Sequence, residues 1–169
     1  MDINEALERL LKAHERYYTI ERENPTQPFA AEADFSMHDE RYFLMKSAKI
    51  SETDMREYVF FAKESILTLE RLRELEAKAW ETGMKRVEPS STHKSSDVIL
   101  YIVASTIEPD AAKEIRKLRR YQSYKFGLQG YSHFKVVAHD LLAEKTYTNR
   151  MGDTLKKVIR NITEAGRES

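Results

Sequence analysis

The chain contains no cysteine, and its 169 residues include only five glycines and four prolines. The missing cysteine excludes disulfides, thiolate metal ligands and cysteine nucleophiles, and it is compatible with the cytoplasmic location that we expect. Few helix-breaking residues, together with a charged fraction of 33%, are typical of a helix-rich, well-structured domain. The length favours a single domain over residues 1–169.

Neither sign of charge is in excess, because 28 lysines and arginines face 28 aspartates and glutamates. No global field therefore draws the chain to nucleic acid or to a membrane, and any electrostatic function must be local. The first ten residues, MDINEALERL, lack the basic and apolar regions of a signal peptide. The longest apolar run, residues 98–104, is far shorter than the roughly 20 residues that span a bilayer. We expect no membrane partner.

Apolar residues recur at helical spacing in four segments. They predict helices over residues 2–22, 69–82 and 109–126, and from about residue 153. Thr68 is expected to cap the second helix and Gly83 to close it. Pro109 suits the first turn of the third.

Alternating or continuous apolar runs predict five strands, at residues 29–35, 41–50, 57–63, 97–105 and 133–142. A short extra strand is expected near Tyr147, and residues 163–169 are expected to fray. The predicted fold class is α/β (mixed α+β), with the element order α-β-β-β-α-β-α-β-α. One mixed five-stranded sheet flanked by helices is the simplest arrangement of these elements.

A run of cations stands out at residues 116–135, which contain six lysines and arginines, several aromatic residues and no acid. On a helical wheel its first half forms a basic stripe opposite the apolar side. The stripe is either a solvated face that offsets the helix dipole or a surface for an acidic protein or nucleic acid. The candidate binding residues are Lys113, Arg116, Lys117, Arg120, Tyr124 and Tyr131.

An alternative site follows if strands 97–105 and 133–142 are parallel, because ligands of open α/β sheets favour the carboxyl edge. Hydroxyls, an arginine and a helix N-terminus there could hold an anion or small ligand, as a binding protein or an enzyme would. The same residues could also serve only as turn and helix caps. They are Ser105, Thr106, Tyr147, Thr148, Asn149 and Arg150.

The chain matches no phosphate-loop, dinucleotide-binding or nucleophile-elbow motif. His133 and His139 share a strand face but would lie about 20 Å apart, too far for one metal. The segment SSTHKSSD, residues 90–97, contains the residue types of a catalytic triad but indicates a polar loop, since neighbouring residues on one extended segment point apart. We therefore predict no cofactor, no metal and no catalytic residue.

The predicted order α-β-β-β-α-β over residues 2–105 is similar to the core of PD-(D/E)XK nucleases. That resemblance implies carboxylates that bind Mg²⁺ beside a lysine, with an acid-x-Lys motif on the third strand. The segment EYVFFAKES places Glu57 and Lys63 six residues apart, so the motif is not matched. A nuclease would require Asp34, Asp39, Glu40 or Glu57 to converge with a lysine.

The segments YFLMKSAKI, EYVFFA and SYKFGLQGYSHFK with YTNRMG resemble a family of small uncharacterised bacterial proteins with no assigned activity. The resemblance covers most of the chain and implies neither a substrate nor catalytic residues. We expect a non-catalytic binding or interaction module with a local basic face for an acidic partner. A second copy of the chain is a further candidate partner, since the helices are apolar on one side.

Overall fold

The computed structural model describes residues 1–36, 54–90 and 93–165, and these form four α-helices and seven strands. The helices are α1 (Ile3–His14), α2 (Leu69–Arg86), α3 (Pro109–Lys117) and α4 (Lys156–Glu164). The strands are β1 (Thr19–Glu21), β2 (Ala31–Ser36), β3 (Asp54–Leu67), β4 (His93–Ile107), β5 (Tyr121–Ser123), β6 (Tyr131–Asp140) and β7 (Lys145–Thr148).

All seven strands belong to one mixed sheet, in which β1, β2, β3, β4, β6 and β5 are neighbours in that order. The central strands β3, β4 and β6 are parallel, whereas β1, β2 and β5 pair antiparallel with their neighbours. Strand β7 pairs antiparallel with the second half of β6. Strand β6 therefore has β5 beside its first residues and β7 beside its last, with a gap between them at the sheet edge.

Helices cover both faces of the sheet, because the central strands are apolar on both sides. On one face α2 and α3 pack over Phe60, Leu100 and Val136. On the other face α1 and α4 pack over Phe61 and Val103. The polar residues described below lie on this second face, in the amino-terminal part of the parallel strands.

The predicted helix caps are partly correct. Thr68 caps α2, since its hydroxyl accepts a hydrogen bond from the Arg71 backbone N–H at 3.0 Å. The prediction that Gly83 closes α2 is wrong, since the helix continues to Arg86. Gly83 instead allows a close approach to the sheet: a Cβ there would lie 2.6 Å from a methyl carbon of Val98.

Several predicted bounds are also wrong. The first helix ends at His14 rather than at residue 22, because residues 19–21 pair with β2 as strand β1. The third helix ends at Lys117 rather than Phe126, and residues 121–123 pair with β6. Strands β1 and β5 were not predicted, and the described sheet has seven strands where the prediction had five and a short extra one.

Other predictions are confirmed. The extra strand near Tyr147 exists as β7. The condition for the alternative site is also met, since strands β4 and β6 are parallel. The predicted strand over residues 41–50 lies outside the described residues, and so does most of the tail predicted to fray. No helix in the described ranges is both long and apolar enough to cross a membrane.

Candidate functional site: a basic pocket at the sheet edge

A pocket of about 390 Å³ opens at the edge of the sheet, near the gap between β5 and β7. One side is formed by the end of α3 and the segment that follows it, and another by the loop after β7. Five lining side chains are cationic and none is acidic: Arg116, Lys117, Arg119, Arg120 and Arg150. The remaining lining residues are Leu118, Tyr121, His133, Phe134 and Met151. We call this cavity the basic pocket.

The basic pocket exists because α3 ends early. Leu118 is extended, with φ −60° and ψ 127°, so the chain bends directly after Lys117. Tertiary hydrogen bonds replace further helical turns: the Phe134 N–H donates to the Arg120 carbonyl at 3.1 Å. The cations at 116–120 consequently lie on both sides of a bend and point around a cavity, rather than along one helix stripe.

Asn149 holds the two walls of the basic pocket together. Its buried side-chain oxygen accepts hydrogen bonds from the N–H groups of Val136 and Gly152, at 3.0 and 2.9 Å. Its side-chain nitrogen donates to the carbonyls of Phe134 and Leu118, at 2.8 and 3.1 Å. One amide thus links β6, the segment after α3 and the loop that carries Arg150.

The five cations differ in how they are engaged. Arg120 binds both carboxylate oxygens of the buried Glu76, and this hydrogen bonding raises the pKa of Arg120. The Arg116 guanidinium lies 5.6 Å from the centre of the Tyr147 ring. Lys117, Arg119 and Arg150 are exposed and form no ion pair with any residue that the structure describes. These three charges are available to a ligand.

A second polar feature adjoins the basic pocket on the face of the sheet that α1 and α4 cover. Five residues on neighbouring strands lie side by side across the sheet. Three of the four neighbouring pairs are partners in the strand register, and Asp97 lies opposite His133 because the flanking pairs of β4 and β6 keep the same offset. We call them the transverse row: Phe35, Glu57, Asp97, His133 and Tyr121. The row meets the basic pocket at its end, because His133 and Tyr121 also line the cavity.

The carboxylates of the transverse row are held by neighbouring side chains. The Tyr18 hydroxyl donates a hydrogen bond to Glu57. Lys135 lies 2.9 Å from one oxygen of Asp97, and His133 lies 3.7 Å from the other. That second oxygen is buried and accepts no hydrogen bond from the described residues. The transverse row and the neighbouring Lys135 therefore place two acids and a lysine close together in a half-buried strip.

Burial raises the pKa of Glu57, and the nearby Asp97 charge adds to the effect, while the Tyr18 hydrogen bond and Lys135 oppose it. Burial and the Glu57 charge also raise the pKa of Tyr18, so this hydroxyl stays protonated as a donor. A carboxyl with a raised pKa is one of the features that accompany functional sites.

The raised pKa of Glu57 leads to a prediction for stability. A carboxyl whose folded-state pKa exceeds its ordinary value of 4.5 stabilises the fold below that value, and this contribution is lost as pH rises through the folded pKa. Glu57→Gln removes the titration and keeps a hydrogen-bond acceptor for Tyr18. We expect the free energy of unfolding of the variant, relative to the native chain, to increase as pH rises from about 4.5 to about 8. Urea unfolding at several pH values measures it, and a pH-independent difference would contradict the assignment.

The structure separates the residues of the predicted basic stripe. Arg116, Lys117 and Arg120 line the basic pocket, whereas Lys113 is exposed on α3 and does not line it. Tyr124 is half-buried, with its hydroxyl 2.9 Å from the Ser132 hydroxyl, so it is not a free stacking surface. Tyr131 is 41% exposed and stacks on Tyr121.

The residues of the alternative site are divided between two places. Ser105 and Thr106 lie at the carboxyl ends of the parallel strands, as expected. Strand β7, however, runs antiparallel to β6 and carries Tyr147 through Arg150 back toward the amino end. Thr148 pairs with Val137, and Arg150 joins the basic pocket.

Sequence reasoning did not select several residues of these two sites: Glu76, Asp97, Arg119, Tyr121, His133 and Lys135. Arg119, Tyr121, His133 and Lys135 lie within the basic run at residues 116–135, whereas Glu76 carried no local signal and Asp97 lay in the segment interpreted as a polar loop. Glu57 was named only as an acid that a nuclease would require. Among the described residues, no group of three or more histidines, aspartates and glutamates is placed to hold a metal ion.

A family model described as a domain of unknown function, DUF8052, matches residues 2–161 of the chain. No curated protein and no solved structure matches the chain. The function is therefore inferred from the basic pocket and the transverse row.

Proposed function

The chain belongs to the DUF8052 family of unknown function, and on that premise we propose that it is a non-catalytic binding module for a phosphate-bearing anion. The anion binds in the basic pocket. A bacterial source and a cytoplasmic location, both expected from the sequence, are part of the proposal.

The observation that carries this proposal is the charge of the lining. Five cations from two segments of the chain converge on one cavity, and the lining contains no acid. Like charges that converge repel each other and cost stability unless an anion offsets them. Of the five lining cations, only Arg120 has its charge offset by Glu76.

The geometry favours phosphate over a single carboxylate. Lys117, Arg119 and Arg150 are the lining cations that are exposed and form no ion pair with the described residues. They extend from both walls of the cavity, so their donor groups can reach different oxygens of one anion. The cavity is open to solvent at the sheet edge, so a chain-like anion can enter without a rearrangement of the fold.

Binding of inorganic polyphosphate tests the proposal. We expect saturable binding at low salt that weakens by at least about tenfold as salt is raised toward physiological strength, because several charge contacts are exchanged for counterions. Isothermal calorimetry measures both affinity and stoichiometry. The absence of saturable binding at low salt would overturn the proposal.

A second candidate function is a magnesium-dependent nuclease, and one observation favours it. Glu57 and Asp97 lie on adjacent strands, and Lys135 pairs with Asp97, so an acid has converged with a lysine beside the basic pocket. Incubation of an end-labelled oligonucleotide with magnesium distinguishes the two functions. The binding module leaves the strand intact, whereas cleavage that Asp97→Asn abolishes would establish the nuclease.

A further inference from the structure

We propose that the anion is single-stranded nucleic acid, with its phosphates in the basic pocket and a base stacked on the tyrosines beside it. This inference rests on the proposed function and goes further, because it names the ligand class. Two observations carry it: an exposed aromatic platform that borders the pocket, and an excess of cations over the charge of one phosphate.

The aromatic platform consists of Tyr121 and Tyr131. Their rings are stacked, with centroids 5.9 Å apart and planes inclined by 27°. Tyr121 is 50% exposed and Tyr131 41% exposed, although both rings are large and partly apolar. Tyr121 also lines the basic pocket, so the platform begins where the cations end. A nucleotide has the same arrangement, with a flat aromatic base close to a phosphate.

The platform is held in place by the hairpin between β5 and β6. Gly127 lies under the Tyr131 hydroxyl, where a Cβ would be only 2.2 Å from that oxygen, and its φ of +88° suits glycine. The Tyr121 ring also lies 5.2 Å from the His133 ring. Both tyrosines are thus oriented before a ligand arrives, which lowers the entropic cost of stacking a base on them.

The number of cations indicates more than one phosphate. A phosphodiester carries a single negative charge, whereas the lining has five cations and the adjoining Glu76 offsets one of them. Two further hollows adjoin the basic pocket. One shares Arg116 and Arg150 with it, and the other shares Lys117, Arg119 and Arg120. Acids also line them, Asp153 in the first and Glu76 and Glu114 in the second, but cations outnumber acids in each. The cations therefore follow a path, as the backbone of a strand requires.

A single strand fits this surface better than a duplex. A base can stack on a tyrosine only if its face is not covered by neighbouring base pairs, and single strands expose that face. An acidic peptide would offset the cations, but its carboxylates have no aromatic face for the platform. The chain also lacks the recognition motifs that read duplex grooves.

Fluorescence anisotropy with a labelled oligothymidylate tests the inference, with inorganic polyphosphate as the ligand that has phosphates and no bases. Tyr121→Leu removes the stacking ring and keeps every cation. We expect it to weaken oligothymidylate binding by about tenfold, the effect of losing one stacked base, and to leave polyphosphate binding unchanged. The matched control Tyr17→Leu changes a half-buried tyrosine outside the pocket and should alter neither affinity.

The outcomes separate the inference from the proposed function. If Tyr121→Leu lowers the affinities for oligothymidylate and polyphosphate equally, or lowers neither, the proposal of anion binding stands and the nucleic-acid inference is overturned. A duplex that binds more tightly than the single strand also overturns it. Tyr121→Phe retains the ring without the hydroxyl, so binding at the native level supports stacking even if the leucine variant folds poorly. Loss of oligothymidylate binding in a folded Tyr121→Phe variant contradicts stacking.

Discussion

Reversal of two unpaired cations in the basic pocket, Lys117→Glu with Arg119→Glu, is expected to weaken polyphosphate binding by about a hundredfold. Each residue donates a charge-assisted contact to phosphate, and contacts of this kind contribute about 1.5 kcal/mol or more each. Reversal also adds repulsion within the cavity. Both side chains are exposed and form no ion pair with the described residues, so the free energy of unfolding should change by less than about 0.5 kcal/mol.

The matched control reverses an exposed lysine and an exposed arginine elsewhere that form no ion pair with the described residues, Lys12→Glu with Arg160→Glu, and changes the net charge by the same amount. Calorimetry on both double variants separates a local site from a general charge effect, and equal losses of affinity in the two would contradict the site. Arg120 is left intact in this experiment. Its reversal would leave the buried Glu76 beside a second acid and destabilise the fold.

Asn149→Ala is expected to lower the free energy of unfolding by about 3 to 5 kcal/mol, because it leaves several backbone N–H and carbonyl groups without a hydrogen-bond partner. The N–H groups of Val136 and Gly152 lose their acceptor, and the carbonyls of Phe134 and Leu118 lose a donor. Denaturant unfolding followed by circular dichroism measures the change. A loss below about 1 kcal/mol would show that water or another side chain replaces the amide.

Asn161→Ala is the control for this substitution, since Asn161 is exposed on α4 and alanine favours a helix. It should leave the free energy of unfolding within about 0.5 kcal/mol of the native value. The Asn149→Ala variant should also bind polyphosphate more weakly than the native chain under conditions where it remains folded. Asn149 sets the position of Arg150 relative to the segment that carries Arg119.

Much of the secondary structure could be predicted because it depends on local periodicity. The continuous apolar character of residues 98–104 indicated a strand buried on both faces, and β4 lies in the centre of the sheet between β3 and β6. This prediction rests on residues whose apolar side chains indicate their burial. The parallel pairing of β4 with β6 was the condition on which the alternative site was argued, and it is met.

The end of α3 could not be predicted, because no glycine or proline marks it. Residues 118–126 continue an acceptable helical pattern, and only contacts with distant residues end the helix at Lys117. The Leu118 carbonyl accepts from Asn149, and the Arg120 carbonyl accepts from Phe134. Phe126, the last residue of the predicted helix, is fully exposed in the hairpin between β5 and β6.

The two sites depend on strand register, which the sequence does not show locally. The cations at 116–120 were recognised as a group, but Arg150 was assigned to another edge because the antiparallel direction of β7 was not foreseen. Glu57, Asp97 and His133 become neighbours only through the pairing of β3, β4 and β6. A shift of one residue in either pairing would have placed them on opposite faces.

The most direct test of the central claim is an amide chemical-shift titration of the isotope-labelled protein with inorganic polyphosphate. If the anion binds in the basic pocket, the shifts will concentrate in residues 116–121 and 150–151, with His133 among them, and will be suppressed by salt. Shifts confined to other parts of the chain, or none in these segments at saturation, would contradict the account.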